Sequence, residues 1–336
     1  MQYRRLGRSD IEVSALALGT DNFANPTPEA ECIRLVQAAL DAGITLFDTA
    51  NTYAGGDAER ILGKAIAGRR TEAVVATKAY YPTGQEPDDR GNSRQAILKA
   101  CDASLARLNT DYIDLFQLHR PDFDVPMAET MGALHELVEA GKVRFVGSST
   151  SPAWRILEGI NVAEAAGWEG FVTEQPPYNI LDRRIENEIV PMAQTFGLGL
   201  LPWSPLAMGM LAGRYDDNHP TPTGSRASAR GGIYAERVTS QAVAAGNRFA
   251  ALARVHGYDP ARLAICWVKD QPGVVAPLFG AKTIDQLNDM VAVGDMSFPP
   301  ELSAAVDDLC PPGSAIANFH NSADWMKQQL SPGADH

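Results

Sequence analysis

Residues 44–53 read ITLFDTANTY, in which ITLFDTA (44–50) is a short β-rich apolar run that contains Asp48, and Tyr53 lies five residues beyond Asp48 in the following loop. Seven further runs of this kind recur along the chain. Each is continuous rather than alternating, which is typical of strands covered on both faces of a parallel sheet. These runs are SALALGT (14–20), AVVATK (73–78), YIDLFQLH (112–119), VRFVGSS (143–149), FVTEQ (171–175), GLLPWS (199–204) and VVAPLFG (274–280).

Helical segments separate these runs. SRQAILKACDASLARL (93–108) places apolar residues on one helix stripe and offers Ser93 as an N-cap. MAETMGALHELVEAGK (127–142) closes at Gly141, a helix C-cap signal. Eight strands alternating with helices predict an α/β fold, the (β/α)8 TIM barrel. A doubly wound sheet would instead require GxGxxG after the first strand, where this chain has GTDNFANPTPEAE (19–31).

We expect one barrel domain over residues 1–336, since barrels of this length commonly form a single domain. Two segments depart from a bare barrel. Residues 213–236 are rich in Gly, Pro, Ser and Asp and predict a long loop inserted after strand seven. Residues 311–336 follow the last helix as a C-terminal tail that carries Phe319, His320 and Trp325.

Composition excludes several classes of protein. A chain of 336 residues that is 45% hydrophobic is not disordered, and a net charge of −12 argues against nucleic-acid and anionic-membrane partners. The four cysteines show no CxxC or Cys/His spacing, so no zinc site or disulfide framework is predicted. Without a signal peptide or a long apolar run, the chain is expected to be cytoplasmic, with a small molecule as its partner. Its oligomeric state cannot be read from the sequence.

The active site of a barrel lies where its strands end. Predicted strands two, three and four end at Asp48, Lys78 and His119, and Tyr53 follows strand two. Taken singly, each has an ordinary structural explanation, such as a cap or a solvated charge. Together they suit proton transfer to a carbonyl oxygen, because an ammonium lowers the pKa of a nearby phenol and an imidazole hydrogen-bonds the carbonyl. None of them carries hydride, so a cofactor is required.

Six motifs in this order resemble the aldo-keto reductase family over nearly the whole chain. The resemblance implies a catalytic tetrad of Tyr53 as acid/base with Lys78, Asp48 and His119. It also implies hydride transfer from NADPH without metal or flavin. The motifs are LFDTANTY (46–53), ATK (76–78), DLFQLHRPD (114–122), GKVRFVGSS (141–149), EQPPYNILDR (174–183) and LPWSPLAMGMLAGRY (201–215).

The same resemblance assigns cofactor-binding residues. Those expected near the nicotinamide and its ribose are Gly19, Thr20, Asp48, Ser149, Gln175 and Trp203. Those expected around the pyrophosphate are Ser204, Leu206, Gly209 and Leu211, and those around the adenosine 2′-phosphate are Gly280, Lys282 and Gln286. Thr150, Lys282 and Met290 depart from the family's usual Asn, Arg and Asn. NADH is therefore kept as an alternative cofactor.

The substrate is expected to contact Phe23, Tyr81 and Arg120, with the C-terminal tail as a further contributor. A carbonyl or an alcohol fits this site in either reaction direction, and fold and tetrad do not narrow the choice. Two other functions stay open. One is a cofactor-binding regulatory protein, since potassium-channel β-subunits share the barrel and the tetrad. The other is a Schiff-base aldolase that uses Lys78.

Overall fold

The computed structural model describes residues 1–215 and 222–323. Eight parallel strands of this part form one sheet in the order β10-β3-β4-β5-β6-β7-β8-β9, and β1 pairs with β2 in a separate antiparallel hairpin. The strands are β1 (Tyr3–Arg5), β2 (Glu12–Ser14), β3 (Ala17–Gly19), β4 (Leu46–Asp48), β5 (Val74–Ala79), β6 (Ile113–Leu118), β7 (Val143–Ser149), β8 (Thr173–Gln175), β9 (Gly199–Leu200) and β10 (Leu278–Phe279).

The sheet closes on itself through its two edge segments. Leu200 and Val274 form a parallel bridge, and the Leu278 amide donates to the Pro202 carbonyl at 2.8 Å. A sheet of eight parallel strands that closes in this way is a (β/α)8 barrel, so the predicted fold class is confirmed. All eight predicted runs contain a strand of this sheet.

The N-terminal hairpin was not predicted, and the first predicted run is split by it. Ser14 ends β2, whereas the barrel strand β3 begins only at Ala17. Leu6, Ile11 and Val13 are buried in one cluster with the apolar residues that begin the barrel strands. The hairpin therefore covers the N-terminal end of the barrel, and a long-range contact of this kind leaves no local signal in the sequence.

Seven helices belong to the same compact unit as the strands, which comprises Met1–Pro176, Ile189–Trp203 and Gln271–Met296. As predicted, α3 begins after Ser93, whose side chain accepts from the Ala96 amide at 3.3 Å. The helices are α1 (Glu29–Asp41), α2 (Asp57–Ala65), α3 (Arg94–Leu108), α4 (Met127–Glu139), α5 (Ala153–Ala166), α6 (Ile189–Phe196) and α11 (Ile284–Val291).

A second compact unit comprises Pro177–Glu188, Ser204–Asp270 and Ser297–His336. In the described part of 213–236 the chain forms two helices of five residues each. From the tail, Asn321 accepts from the Arg237 guanidinium at 2.8 Å and donates to the Ile233 carbonyl at 2.8 Å. Trp325 lies outside the described residues. The helices of this unit are α7 (Arg226–Arg230), α8 (Gly232–Glu236), α9 (Ser240–Val255), α10 (Pro260–Lys269) and α12 (Ser303–Leu309).

Within residues 1–215 and 222–323, none of the helices combines the length and the apolar character that a bilayer crossing requires.

The contact between α2 and α3 requires a glycine. A Cβ on Gly63 would lie 2.2 Å from the Leu108 carbonyl oxygen, which is backbone and cannot rotate away. We expect Gly63→Ala to lower the free energy of unfolding by about 3 kcal/mol, because α2 and α3 must move apart to make room for the methyl group. Urea denaturation measures this change.

Gly132 in α4 is the matched control. A Cβ there would meet only the rim of the Trp168 ring at 3.4 Å, so Gly132→Ala should leave stability unchanged or raise it by up to about 1 kcal/mol. Equal effects of the two substitutions would contradict the close approach at Gly63.

Candidate active site

The carboxyl ends of four barrel strands bring polar side chains to one place. Asp48 is the last residue of β4, Lys78 lies near the end of β5, and Gln175 ends β8. His119 directly follows β6. Parallel strands of a barrel end at the same rim, and residues far apart in sequence are therefore neighbours here.

Asp48 and Lys78 form a buried ion pair at the centre of this group. Lys78 Nζ lies 2.5 Å from Asp48 Oδ1 and donates to the Thr49 carbonyl at 2.7 Å. The second carboxylate oxygen of Asp48, Oδ2, accepts from Gln175 Nε2 at 2.8 Å and from Gln117 Nε2 at 3.3 Å. Burial lowers the pKa of Lys78, while the charge of Asp48 and its hydrogen bond act in the opposite direction.

Tyr53 reaches this pair through a tight turn. It begins a 3-10 segment, Tyr53–Gly56, in which Ala54, Gly55 and Gly56 have φ of 49°, 65° and 94°. These left-handed conformations are why glycines follow the tyrosine, and they reverse the chain before α2 begins. Lys78 Nζ lies 5.0 Å from the centroid of the Tyr53 ring, on its face.

His119 completes the predicted tetrad. Its ring lies edge-on to Tyr53 with centroids 6.0 Å apart, and edge-on to Tyr81 at 5.0 Å. The side chain is buried, and its Nδ1 atom has no hydrogen-bond partner among the described residues. Burial, followed by the charges of Arg120 and Lys78, holds the pKa of His119 well below 6.5. The imidazole is therefore neutral at physiological pH. The structure thus brings all four predicted residues together.

Beside the tetrad, Thr150 joins Trp203, which is expected at the nicotinamide, to Arg120, which is expected at the substrate. Its hydroxyl accepts from Arg120 Nη1 at 3.2 Å and from Trp203 Nε1 at 3.3 Å. The neighbouring Ser149 hydroxyl donates to the Gln175 carbonyl at 2.9 Å. Thr150, which departs from the family's usual asparagine, therefore links the segments that follow β6, β7 and β9.

The loop after β3 carries two buried oxygens of a kind that binds hydroxyl and amide groups. Thr20 Oγ1 and Asn22 Oδ1 have no hydrogen-bond partner among the described residues, although both side chains are buried. Asn22 also donates to the Ala281 carbonyl at 2.7 Å, which ties this loop to the segment after β10. A Cβ on Gly280 would lie 3.4 Å from Asn22 Oδ1. No local pattern in the sequence points to Asn22, because its contact with Ala281 exists only when the barrel is closed.

The segment after β10 leads into the N-terminus of α11. Thr283 caps this helix by accepting from the Gln286 amide at 3.3 Å, and the Lys282 amide donates to Gln286 Oε1 at 2.9 Å. A helix N-terminus of this kind, with a lysine beside it, favours a phosphate.

In the second compact unit, the residues expected at the pyrophosphate lie in a left-handed stretch of backbone. Ser204, Ala207, Met208 and Gly209 all have positive φ, from 48° to 91°. The Tyr215 hydroxyl donates to the Met208 carbonyl at 3.1 Å and holds this turn. Successive amides in such turns form concave sites that bind anions. Leu206 and Leu211 flank the turn, and the role of the four predicted residues stays a prediction.

Of the predicted substrate contacts, two lie next to the tetrad. The Arg120 guanidinium lies over the Tyr81 ring at 5.5 Å, and Tyr81 contacts His119. Phe23, by contrast, is completely buried, with its amide donating to the Thr20 carbonyl. Gln117 was not predicted, although it shares Asp48 with Gln175.

Comparisons with known proteins identify the family. A model of the aldo/keto reductase family matches residues 15–310. The chain is 37% identical over 324 residues to "Uncharacterized oxidoreductase YrpG" of Bacillus subtilis (strain 168), covering 93% of this chain and 96% of the relative.

Two further relatives carry different names. "Versiconal hemiacetal acetate reductase" of Aspergillus parasiticus is 33% identical over 338 residues, covering 90% of this chain and 94% of the relative. "Probable voltage-gated potassium channel subunit beta" of Oryza sativa subsp. japonica is 37% identical over 294 residues, covering 85% and 89%.

The environment of His119 makes a prediction about pH. Between pH 6.5 and the lower pKa that His119 has in the folded protein, His119 is protonated in the unfolded chain but neutral in the folded one. The free energy of unfolding therefore falls as pH drops through this window. We expect the imidazole NMR signals of His119 to show no titration at about pH 6.

His119→Gln removes this proton linkage, and the variant should lose less stability than the wild type on acidification. A titration midpoint of His119 near 6.5 would contradict the buried, neutral imidazole.

Proposed function

The chain belongs to the aldo-keto reductase family, and from this premise we propose that it is a carbonyl reductase. It would convert an aldehyde or ketone to an alcohol, or the reverse, with NADPH as the preferred cofactor. The observation that carries the proposal is the buried Asp48–Lys78 pair, which lies beneath the face of Tyr53 and beside His119. An oxidoreductase relative of nearly equal length agrees with it.

Tyr53 is the proton donor in this proposal. As the carbonyl carbon is reduced, the phenolic proton passes to the carbonyl oxygen and the alcohol forms, and oxidation of an alcohol reverses both transfers. Lys78 opposes the negative charge that develops on the phenolate. Asp48 keeps Lys78 in place, and the neutral His119 donates a hydrogen bond to the carbonyl oxygen.

The residues of the barrel fit a nicotinamide cofactor. Thr20 and Asn22 present buried oxygens that lack partners among the described residues, and Ser149, Gln175 and Trp203 lie around the same rim. Lys282 stands at a helix N-terminus, where a 2′-phosphate would be neutralised. When bound, NADPH supplies the hydride that none of these side chains carries. Gly19 would lie at the nicotinamide end, and Gly280 and Gln286 would lie at the adenosine end beside Lys282.

The geometry disfavours Lys78 as an aldolase nucleophile. A Schiff base requires a neutral amine with a free lone pair. Here Nζ lies 2.5 Å from the Asp48 carboxylate, whose negative charge favours the ammonium form over the neutral amine, and it also donates to the Thr49 carbonyl at 2.7 Å.

The relative named as a channel β-subunit supports a second candidate, a nicotinamide-binding regulatory protein. Both candidates use the same residues, so turnover separates them. A panel of aldehydes and ketones with NADPH, followed by absorbance of the cofactor, should show sustained multiple turnovers. A single turnover followed by arrest would favour the regulatory protein.

Tyr53→Phe tests the proton donor. We expect kcat to fall about a thousandfold, because only the phenolic proton is removed. NADPH binding, measured by quenching of tryptophan fluorescence, should stay nearly unchanged. Tyr112→Phe, at the start of β6, is the matched control and should keep wild-type turnover. Activity of Tyr53→Phe near the wild-type level would overturn the assignment.

Lys282→Ala tests cofactor preference. We expect the Kd for NADPH to rise about tenfold while the Kd for NADH hardly changes, since only NADPH carries the 2′-phosphate. Lys142→Ala, which removes a lysine at the N-terminal start of β7, is the control. Equal losses of affinity for both cofactors would show that Lys282 does not contact this phosphate.

A further inference from the structure

A buried carboxylic acid lies directly behind the turn that carries Ser149 and Thr150. Glu174 precedes Gln175 on β8 and is completely buried. Because successive strand residues face opposite sides of the sheet, Gln175 contacts Asp48 while Glu174 points away from the tetrad. The mechanism proposed above makes no use of Glu174.

Its two carboxyl oxygens hold both ends of this turn. Glu174 Oε2 lies 2.5 Å from the Ser148 hydroxyl, and Oε1 accepts from the Ser151 amide at 3.2 Å. The Thr150 amide donates to the Gln175 carbonyl at 3.2 Å. Two consecutive residues of β8 therefore fix the backbone of residues 148–151.

The turn needs this support because Thr150 has φ of 51°. A β-branched residue is sterically disfavoured in the left-handed region. In that conformation, nevertheless, the Thr150 hydroxyl accepts hydrogen bonds from both Arg120 and Trp203. If the turn relaxed, Ser149, Arg120 and the Trp203 indole would all lose their present positions.

We propose that Glu174 is a positioning residue for the nicotinamide end of the cofactor site, acting through the Ser149–Thr150 turn. This inference rests on the proposed function, since it concerns the same cofactor. Gln175 and Ser149 touch that end of the site, whereas Glu174 acts only through them.

The protonation of Glu174 supports this role. Burial raises its pKa to about 7, although hydrogen bonds from Ser148 and the backbone and the charge of Arg120 lower it. The other charged groups facing this cluster are Asp122 and Arg155, which line one small cavity with Ser148 and Ser151. The Ser148 hydroxyl and the Ser151 amide both donate to the carboxyl group of Glu174. Above about pH 7 the ionised carboxylate accepts these two hydrogen bonds more strongly, because hydrogen bonds to a charged acceptor are the stronger ones.

Three variants test the proposal, with Kd for NADPH measured at about pH 6 and about pH 8. Glu174→Gln keeps an acceptor and a donor in place and should bind NADPH as the wild type does at the lower pH. Glu174→Ala should raise the Kd about fivefold or more at both pH values. Asp114→Asn is the matched control, because it removes a buried carboxylate at the other end of the barrel.

Adenosine 2′,5′-bisphosphate, which lacks the nicotinamide, separates positioning from general damage. Glu174→Ala should bind this fragment as tightly as the wild type does, while its Kd for NADPH rises about fivefold or more. The 2′-phosphate of NADPH itself titrates at about pH 6, so NADPH affinity changes with pH in every variant. The change of NADPH affinity with pH in Glu174→Gln therefore serves as the reference. As pH rises, the wild type should retain more NADPH affinity than this variant, because only the wild type gains a charged acceptor for the turn.

The outcomes are distinct. Three results would each overturn the inference. The first is an equal loss of affinity for the fragment and for NADPH in Glu174→Ala. The second is a loss of NADPH affinity in Asp114→Asn as large as that in Glu174→Ala, and the third is the same pH slope of NADPH affinity in the wild type and in Glu174→Gln. In all three cases the proposed function would stand if the wild type binds NADPH and reduces carbonyls. A wild type that binds neither NADPH nor NADH would overturn both.

Discussion

The ion pair between Asp48 and Lys78 is the interaction on which the rest of the site depends. Both side chains are buried, so each would be costly to keep charged without the other. Removal of one partner of such a pair costs about 3–5 kcal/mol, because the remaining charge stays buried. Gln117, Gln175 and the Thr49 carbonyl supply the hydrogen bonds that the pair itself leaves unmade.

The alternation of side chains along the barrel strands fixes the position of the Asp48–Lys78 pair, because every second residue faces the interior. Leu46, Ala76 and Leu115 lie in the apolar core, and Asp48, Lys78 and Gln117 follow each of them two residues later on the same face. The interior of the barrel is therefore layered. The apolar layer lies towards the N-terminal ends of the strands, where the hairpin covers it and water is excluded. The polar layer lies at the carboxyl ends of the strands.

Residues on the other face of the same strands hold the loops that follow. Thr77 donates to the buried Glu59 at 2.6 Å, and Glu59 also receives Arg107 at 2.6 Å, which fixes the helix after Tyr53. Glu174 has the corresponding position behind the Ser149–Thr150 turn. The predicted catalytic groups Asp48 and Lys78 face the interior of the barrel, and the loops beside them are held from the other face of the sheet.

The sequence by itself determined the eight strands, their parallel arrangement and the four chemical groups of the tetrad. These features are local, because a continuous apolar run and a polar residue at its end can be read without knowing any neighbour. The N-cap at Ser93 is local for the same reason. Only the tertiary structure decided which polar residues share Asp48, that Thr150 joins Arg120 to Trp203, that Asn22 contacts the segment after β10, and that Glu174 contacts Ser148 and Ser151. These contacts join strands and loops that are distant in sequence, and they exist only once the barrel closes.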